Sequence, residues 1–167
     1  MLTPFTTPDD VRALLGVSDV ELPDRVLNLP VYQIALRRKL QKLSDTEDVL
    51  ALFTSIHSQS VASRSEEQQA FYDAIYHYSS VAAATQAGVS LALVAPKRIT
   101  DDKSGVERFS DSPYRDVLAN LESELLAAKG AVLDALSTLT ASSLPQDTLS
   151  GTYFVAVKRS YDPVTGS

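Results

Sequence analysis

The stretch that decides the fold is residues 65–88, SEEQQAFYDAIYHYSSVAAATQAG, in a chain of 167 residues. It predicts a long helix, because Ser65 and Gln68 can form a capping box that satisfies two backbone N–H groups of the first turn. One face carries, at helical spacing, the residues Phe71, Ile75, Tyr78, Ala82 and Thr85. The small residues 82–84 allow another helix to approach closely. We expect this helix to end near Gly88.

The chain before this helix predicts three more helices. A short one lies between a cap at Thr7 and a stop at Gly16, and it needs a docking surface because it is too short to be stable alone. Residues 31–43 form the next, with a stripe of Tyr32, Leu36, Leu40 and Leu43. Ser44 and Glu47 predict a second capping box and the start of a helix there. Its buried face is Val49, Leu52, Phe53 and Ile56.

The chain after Gly88 mixes strand-like segments with the longest helix. Residues 90–109 are predicted to be non-helical, with 97–100 and 106–109 paired as a hairpin. Residues 112–140 predict a helix of about 40 Å. Residues 151–157 have strand character and begin an extended arm.

The predicted fold class is therefore mainly α. We expect a helical bundle of about four to five helices with a β-hairpin or extended loop and an extended C-terminal arm. Residues 1–150 form the helical domain, which includes the hairpin loop 97–109, and residues 151–167 form the arm.

Composition excludes several kinds of function. The net charge of −6 disfavours general nucleic-acid binding, and the lack of cysteine excludes disulfides and thiolate metal sites. The N-terminus has no signal-peptide pattern, and no apolar run reaches the ~20 residues of a membrane span. We expect no contact with a membrane.

A search for chemistry finds little. His57 and His77 are the only histidines, and they lack metal-binding spacing. Phosphate-binding loops and the common esterase motif are absent. We expect no catalytic residue, no metal and no cofactor. A small hydrolase would instead need a deep pocket that joins His57 or His77 to a carboxylate.

The basic run is the most DNA-like feature of the chain. It lies on the predicted helix 31–43 and comprises Arg37, Arg38, Lys39 and Lys42. We interpret it as a DNA-facing helix, as a solvated helix face, or as a face paired with an acidic neighbour.

Three stretches, in this order, resemble one protein family. The first is MLTPFTTPDDVRALLGV (1–17), continued by ELPD (21–24) and LNLPVY (27–32). The second is APKRITD (95–101) with VERF (106–109) before a long helix, and the third is YFVAV (153–157) with YDPVTG (161–166). Together they resemble the head–tail connector, or adaptor, proteins of tailed bacteriophages.

This resemblance implies a structural role in the virion. Connector subunits form a homo-oligomeric ring, usually twelvefold, beneath the portal protein, where they extend the DNA channel and offer a platform for the tail or the next neck protein. Packaged DNA would pass through without sequence-specific binding. The subunit would sit at the head–tail junction after assembly, and in the host cytoplasm before it.

The resemblance also implies two contact elements. The arm would bind the portal or a neighbour through Tyr153, Phe154, Val155, Lys158, Arg159, Tyr161, Asp162 and Pro163. The hairpin would contact a neighbouring subunit through Lys97, Arg98, Asp101, Asp102, Lys103 and Arg108. The alternative interpretation of the chain is a soluble helical protein–protein interaction module or assembly chaperone.

Overall fold

The computed structural model describes residues 2–94, 99–101, 104–106 and 115–143. These residues are mainly helical, which confirms the predicted fold class. The helices of the described part are α1 (Pro8–Leu15), α2 (Asp24–Leu27), α3 (Pro30–Gln41), α4 (Val49–His57), α5 (Glu66–Val94) and α6 (Arg115–Ser143). The described residues contain six α-helices rather than four to five, because the single turn α2 adds to the longer helices that the sequence predicts.

The region of the predicted hairpin is described only in part. Strands β1 (Ile99–Asp101) and β2 (Ser104–Val106) pair antiparallel, with Ile99 opposite Val106. The remainder of 97–109 and the whole arm 151–167 lie outside the described residues, so their predicted contacts stay predictions.

Helix α5 is the element on which the others pack. Helices α1, α3, α4 and α6 all contact it. Four consecutive residues in its middle, Val81 and the alanines 82–84, are buried. Successive helical residues are rotated by about 100°, so this run is covered on every side. The small side chains of the alanines suit this close packing.

Helix α6 runs antiparallel to α5. Gly88 of α5 lies beside Leu118 of α6, and His77 pairs with Glu124. The residue number of the contact on α6 therefore rises as that on α5 falls, which is the order of two antiparallel helices. The buried face of α6 consists of Leu121, Ala128, Val132 and Leu136.

Local hydrogen bonds explain where two helices begin. In α5 the predicted capping box is confirmed, because Gln68 N donates to Ser65 Oγ at 3.2 Å and Ser65 N donates to Gln68 Oε1 at 3.0 Å. In α1 the predicted cap is also confirmed, because Asp10 N donates to Thr7 Oγ1 at 3.2 Å.

The predicted helix start at Ser44 is wrong. Ser44 Oγ accepts from Glu47 N at 3.1 Å, but this bond closes a turn rather than a helix. Helix α4 begins at Val49 and is capped by Asp48, whose Oδ1 accepts from Ala51 N at 3.0 Å. Asp48 immediately precedes the apolar residues of α4, which pack in the core. Its side chain is therefore in the right place to cap the helix that this packing stabilises.

The predicted end of α5 at Gly88 is wrong as well, because the helix continues to Val94. Gly88 is buried, and a Cβ there would lie 2.8 Å from Leu118 Cδ2 and 3.1 Å from Leu15 Cδ2. The glycine therefore allows α1 and α6 to approach α5, and the packing of the helices outweighs its low helix propensity. Helix α6 likewise extends past residue 140 to Ser143.

The chain anchors its N-terminal segment through Arg12, a residue that sequence analysis had not selected. Its side chain is buried, and Nη1 donates to Asp24 Oδ1 at 2.5 Å and to the Leu22 carbonyl at 3.1 Å. Nη2 donates to Asp9 Oδ1 at 2.6 Å. The hydrogen bonds to Asp24 and then to Asp9 raise the pKa of Arg12 above its ordinary value. One guanidinium thus joins α1 to the segment that contains α2.

The two interior glycines of α5 and α6 should respond oppositely to substitution. Gly130 of α6 is exposed, and nothing lies within 4 Å of an added Cβ. We expect Gly130→Ala to raise the free energy of unfolding by about 1 kcal/mol, because alanine loses less backbone entropy in a helix. Urea denaturation measures the change.

The contrasting variant, at the buried glycine, is Gly88→Leu. Its side chain would meet Leu118 and Leu15, and overpacking of this kind costs about 1–3 kcal/mol. A neutral or stabilising Gly88→Leu would contradict the close approach of the three helices.

Candidate functional site

Two tyrosines of α5, Tyr72 and Tyr76, continue a row of stacked aromatic rings that includes Phe53 of α4. The Tyr72 ring stacks on Phe53 with centroids 5.0 Å apart, and Tyr76 follows at 6.4 Å from Tyr72. The Arg64 guanidinium lies 4.3 Å from the centroid of Tyr72, in a cation–π contact. Tyr72 and Tyr76 are half-buried, so part of each ring stays accessible.

Tyr76 connects this row to the first turn of α1. Its hydroxyl donates to Asp10 Oδ2 at 2.6 Å, and Thr7 Oγ1 donates to the same oxygen at 2.6 Å. The hydrogen bond from Thr7, and then that from Tyr76, lowers the pKa of Asp10. Burial, and then the bond to Asp10, raises the pKa of Tyr76. Asp10 is therefore a fixed negative charge at neutral pH.

Beside these groups lies an open groove of about 350 Å³ between α1 and α5. We call it the α1–α5 groove, and it is lined by Asp10, Ala13, Leu14, Asp73, Tyr76, His77 and Ser80. His77 Nε2 lies 3.4 Å from Glu124 Oε1 of α6. The groove thus combines carboxylates and an imidazole with apolar and aromatic walls.

The groove does not present a hydrolase constellation. The Ser80 hydroxyl is buried, donates to the Tyr76 carbonyl at 2.9 Å and shares a 2.7 Å hydrogen bond with Thr6 Oγ1. No hydrogen bond joins it to His77 among the described residues. His57 lies elsewhere, with Nδ1 3.2 Å from the Tyr72 hydroxyl. The His77–Glu124 pair is best understood as a surface contact between two helices.

Within residues 2–94, 99–101, 104–106 and 115–143, His, Asp and Glu side chains nowhere gather in threes to hold a metal ion. No helix in this described part has the length and apolar character to cross a membrane.

Three residues of the predicted basic run lie on α3, and Lys42 directly follows the last residue of this helix, Gln41. Arg37, Arg38 and Lys42 are exposed, while Lys39 is half-buried and burial lowers its pKa. None of the four forms an ion pair with a residue of the described part. The interpretation as a face paired with an acidic neighbour in the same chain therefore finds no support among the described residues.

Apolar residues are exposed on the same helix. Val31 is 57% exposed and Ile34 is 51% exposed. Leu29, at the helix start, is also exposed. We define the α3 face as Val31, Ile34, Arg37 and Arg38.

The sites predicted on the arm, residues 153–163, and most of those predicted on the hairpin lie outside the described residues. Of the hairpin residues only Asp101 is described, as the last residue of β1. The sequence does not predict the α1–α5 groove, because its walls come from residues 10–14 and 73–80, which are far apart in the chain. The one signal in the sequence was the spacing of Tyr72 and Tyr76, which lie one helical turn apart and are half-buried in the structure.

The hydrogen bond between Tyr76 and Asp10 gives a pH-dependent prediction. A carboxyl whose pKa is lower in the folded than in the unfolded chain stabilises the fold above its ordinary pKa, and this stability is lost as the pH falls. We expect Tyr76→Phe to lower the free energy of unfolding by about 1 kcal/mol at neutral pH. The difference from wild type should shrink in acid, where Asp10 becomes protonated.

Urea denaturation at neutral and acid pH tests this, together with an NMR titration of Asp10. Tyr72→Phe is the matched control, because its hydroxyl contacts His57 rather than a carboxylate. The pKa of Asp10 should rise in Tyr76→Phe and stay unchanged in Tyr72→Phe. If the pKa of Asp10 were the same in both variants, the hydrogen bond from Tyr76 to Asp10 would be contradicted.

Comparisons of the chain with protein-family models, with curated proteins and with solved structures found no match.

Proposed function

We propose that the chain is a structural subunit of a phage neck, which forms a ring between portal and tail, extends the DNA channel and provides the tail-docking platform. The order of the three sequence stretches motivates this proposal. The observation that carries it is the combination of a rigid helical scaffold with an outward helix face that has no partner in the described part of the chain.

The scaffold supports the proposal because it is built from long helices. Helices α5 and α6 each contain 29 residues, which corresponds to about 40 Å. They lie side by side, and α5 is buried on all sides at its middle. Such a pair holds the surfaces of one subunit at fixed positions, which a ring of identical copies needs to close.

The exposed α3 face supports the proposal because it combines apolar and basic groups. Single exposed apolar residues are ordinary on protein surfaces. Here Leu29, Val31 and Ile34 occur within six positions, beside two arginines that form no ion pair with the described residues. Arginine and apolar residues are common at the centres of protein–protein contacts.

We expect the α1–α5 groove to serve binding rather than catalysis. In the α1–α5 groove the histidine pairs with a carboxylate, and the serine hydroxyl is engaged by neighbouring groups. A subunit of this kind is not an enzyme and needs no cofactor. Its net charge of −6 favours passage of DNA without tight binding.

Co-purification with a portal ring tests the function. The full chain is co-expressed with the affinity-tagged portal protein encoded in the same genome. We expect it to elute with the portal as a ring, visible by electron microscopy as an added layer on one end. A chain that elutes free of the portal, while folded by circular dichroism, would favour the alternative of a soluble interaction module or chaperone.

The arm is tested by deletion of residues 151–167. We expect the truncated chain to keep the helical circular dichroism of the full chain and to lose its place in the portal ring and in particles. Strand-like residues carry little of the helical signal, so the spectrum serves as the folding control. Normal incorporation of the truncated chain would show that the arm is not the portal contact.

A further inference from the structure

Two surfaces of the chain are complementary in charge and chemistry. The α3 face presents Arg37 and Arg38 beside exposed Val31 and Ile34, and helix α3 contains no acidic residue. The α1–α5 groove presents the carboxylates of Asp10 and Asp73 beside an aromatic ring. The arginines form no ion pair within the described part of the same chain.

The groove has the chemistry that a guanidinium requires. The two hydroxyl donors to Asp10 both bind Oδ2, so Oδ1 can accept from a further donor. Asp73 is exposed and accepts from Gln69 Nε2 at 2.8 Å, which leaves acceptor capacity on its carboxylate. A guanidinium carries five N–H donors in a planar fork, so it can bind two carboxylates at once.

The walls of the groove suit the rest of an arginine side chain. Ala13 and Leu14 offer apolar surface for the aliphatic stem. The Tyr76 ring offers an aromatic face for the cation. The protein already uses this contact one turn earlier, where Arg64 lies over Tyr72. Among the described residues no cation occupies the corresponding place over Tyr76.

We propose that the α1–α5 groove of one copy binds Arg37 and Arg38 on the α3 face of a second copy. Charge complementarity selects this occupant. On α3 the two exposed arginines carry the planar guanidinium that can bind two carboxylates, whereas Lys39 is half-buried and Lys42 follows the end of the helix.

The groove and the α3 face are different parts of one chain, so each copy can use one surface toward each of two neighbours, in a head-to-tail contact. A repeated contact of this type produces a closed ring or an open filament, according to the rotation at each step. The inference rests on the proposed function, for which it supplies the interface between neighbouring subunits. The apolar residues Val31 and Ile34 would be covered at the edge of the same contact.

Self-association of the full chain tests the interface by sedimentation at low salt. Arg37→Ala/Arg38→Ala should weaken association at least about tenfold, and Asp73→Lys should do the same. The controls are Arg115→Ala/Lys129→Ala and Asp134→Lys, which make the same charge changes at exposed positions of α6. Circular dichroism establishes that each variant is folded.

A mixing experiment tests the head-to-tail geometry. The double alanine variant keeps an intact groove, and Asp73→Lys keeps an intact α3 face. Mixed together, they should form a one-to-one heterodimer that grows no further, because only one intact contact remains. The size of the wild-type assembly separates the two geometries, because a head-to-tail contact lets the wild type grow beyond two copies whereas a two-fold symmetric interface would stop it at a dimer.

Several outcomes would overturn the inference. They are a wild-type chain that remains monomeric to about 1 mM, equal association of the variants and their α6 controls, and a mixture that stays monomeric. The proposed function is judged separately by co-purification with the portal. Portal binding without self-association would remove this interface alone, whereas self-association without portal binding would retain the interface and remove the neck function.

Discussion

Close packing around the middle of α5 is the constraint on which the rest of the structure depends. Val81 and the three alanines after it are at most 3% exposed, so neighbouring helices cover this segment from all directions. The approach is possible because the side chains are small, and Gly88 extends it toward the C-terminal end. Packing at this density makes the helical core rigid, since interiors of this kind have few alternative arrangements.

This packing also determines which surfaces face outward. The first turn of α1 is held against α5 by the hydrogen bond from Tyr76 to Asp10, and the groove forms between the two helices. Helix α3 packs through Tyr32, Leu36 and Leu40, which directs Arg37 and Arg38 to solvent. The groove and the α3 face are therefore consequences of the same core, and both are presented on a rigid support.

The functional proposal depends on this division between a closed core and open surfaces. The buried residues of the described part form one cluster, whereas the polar groups of the groove and the arginines of α3 stay accessible. Groups so placed can recognise another protein without a change in the fold. A neck subunit has this requirement, because it must be stable before it meets its neighbours.

Sequence alone determined the fold class, the apolar stripes of α3 and α5, and the caps at Thr7 and Ser65, because these depend on residues only a few positions apart. It also identified the exposed basic run. Tertiary structure decided the rest. Ser44 and Ser65 have the same local pattern, but only Ser65 starts a helix, and Gly88 is helical because Leu15 and Leu118 pack against it. The groove likewise depends on Tyr76 and Asp10, which are 66 positions apart. Contacts between residues so far apart in the chain arise from how the helices pack. The spacing of residues within one helix does not predict them.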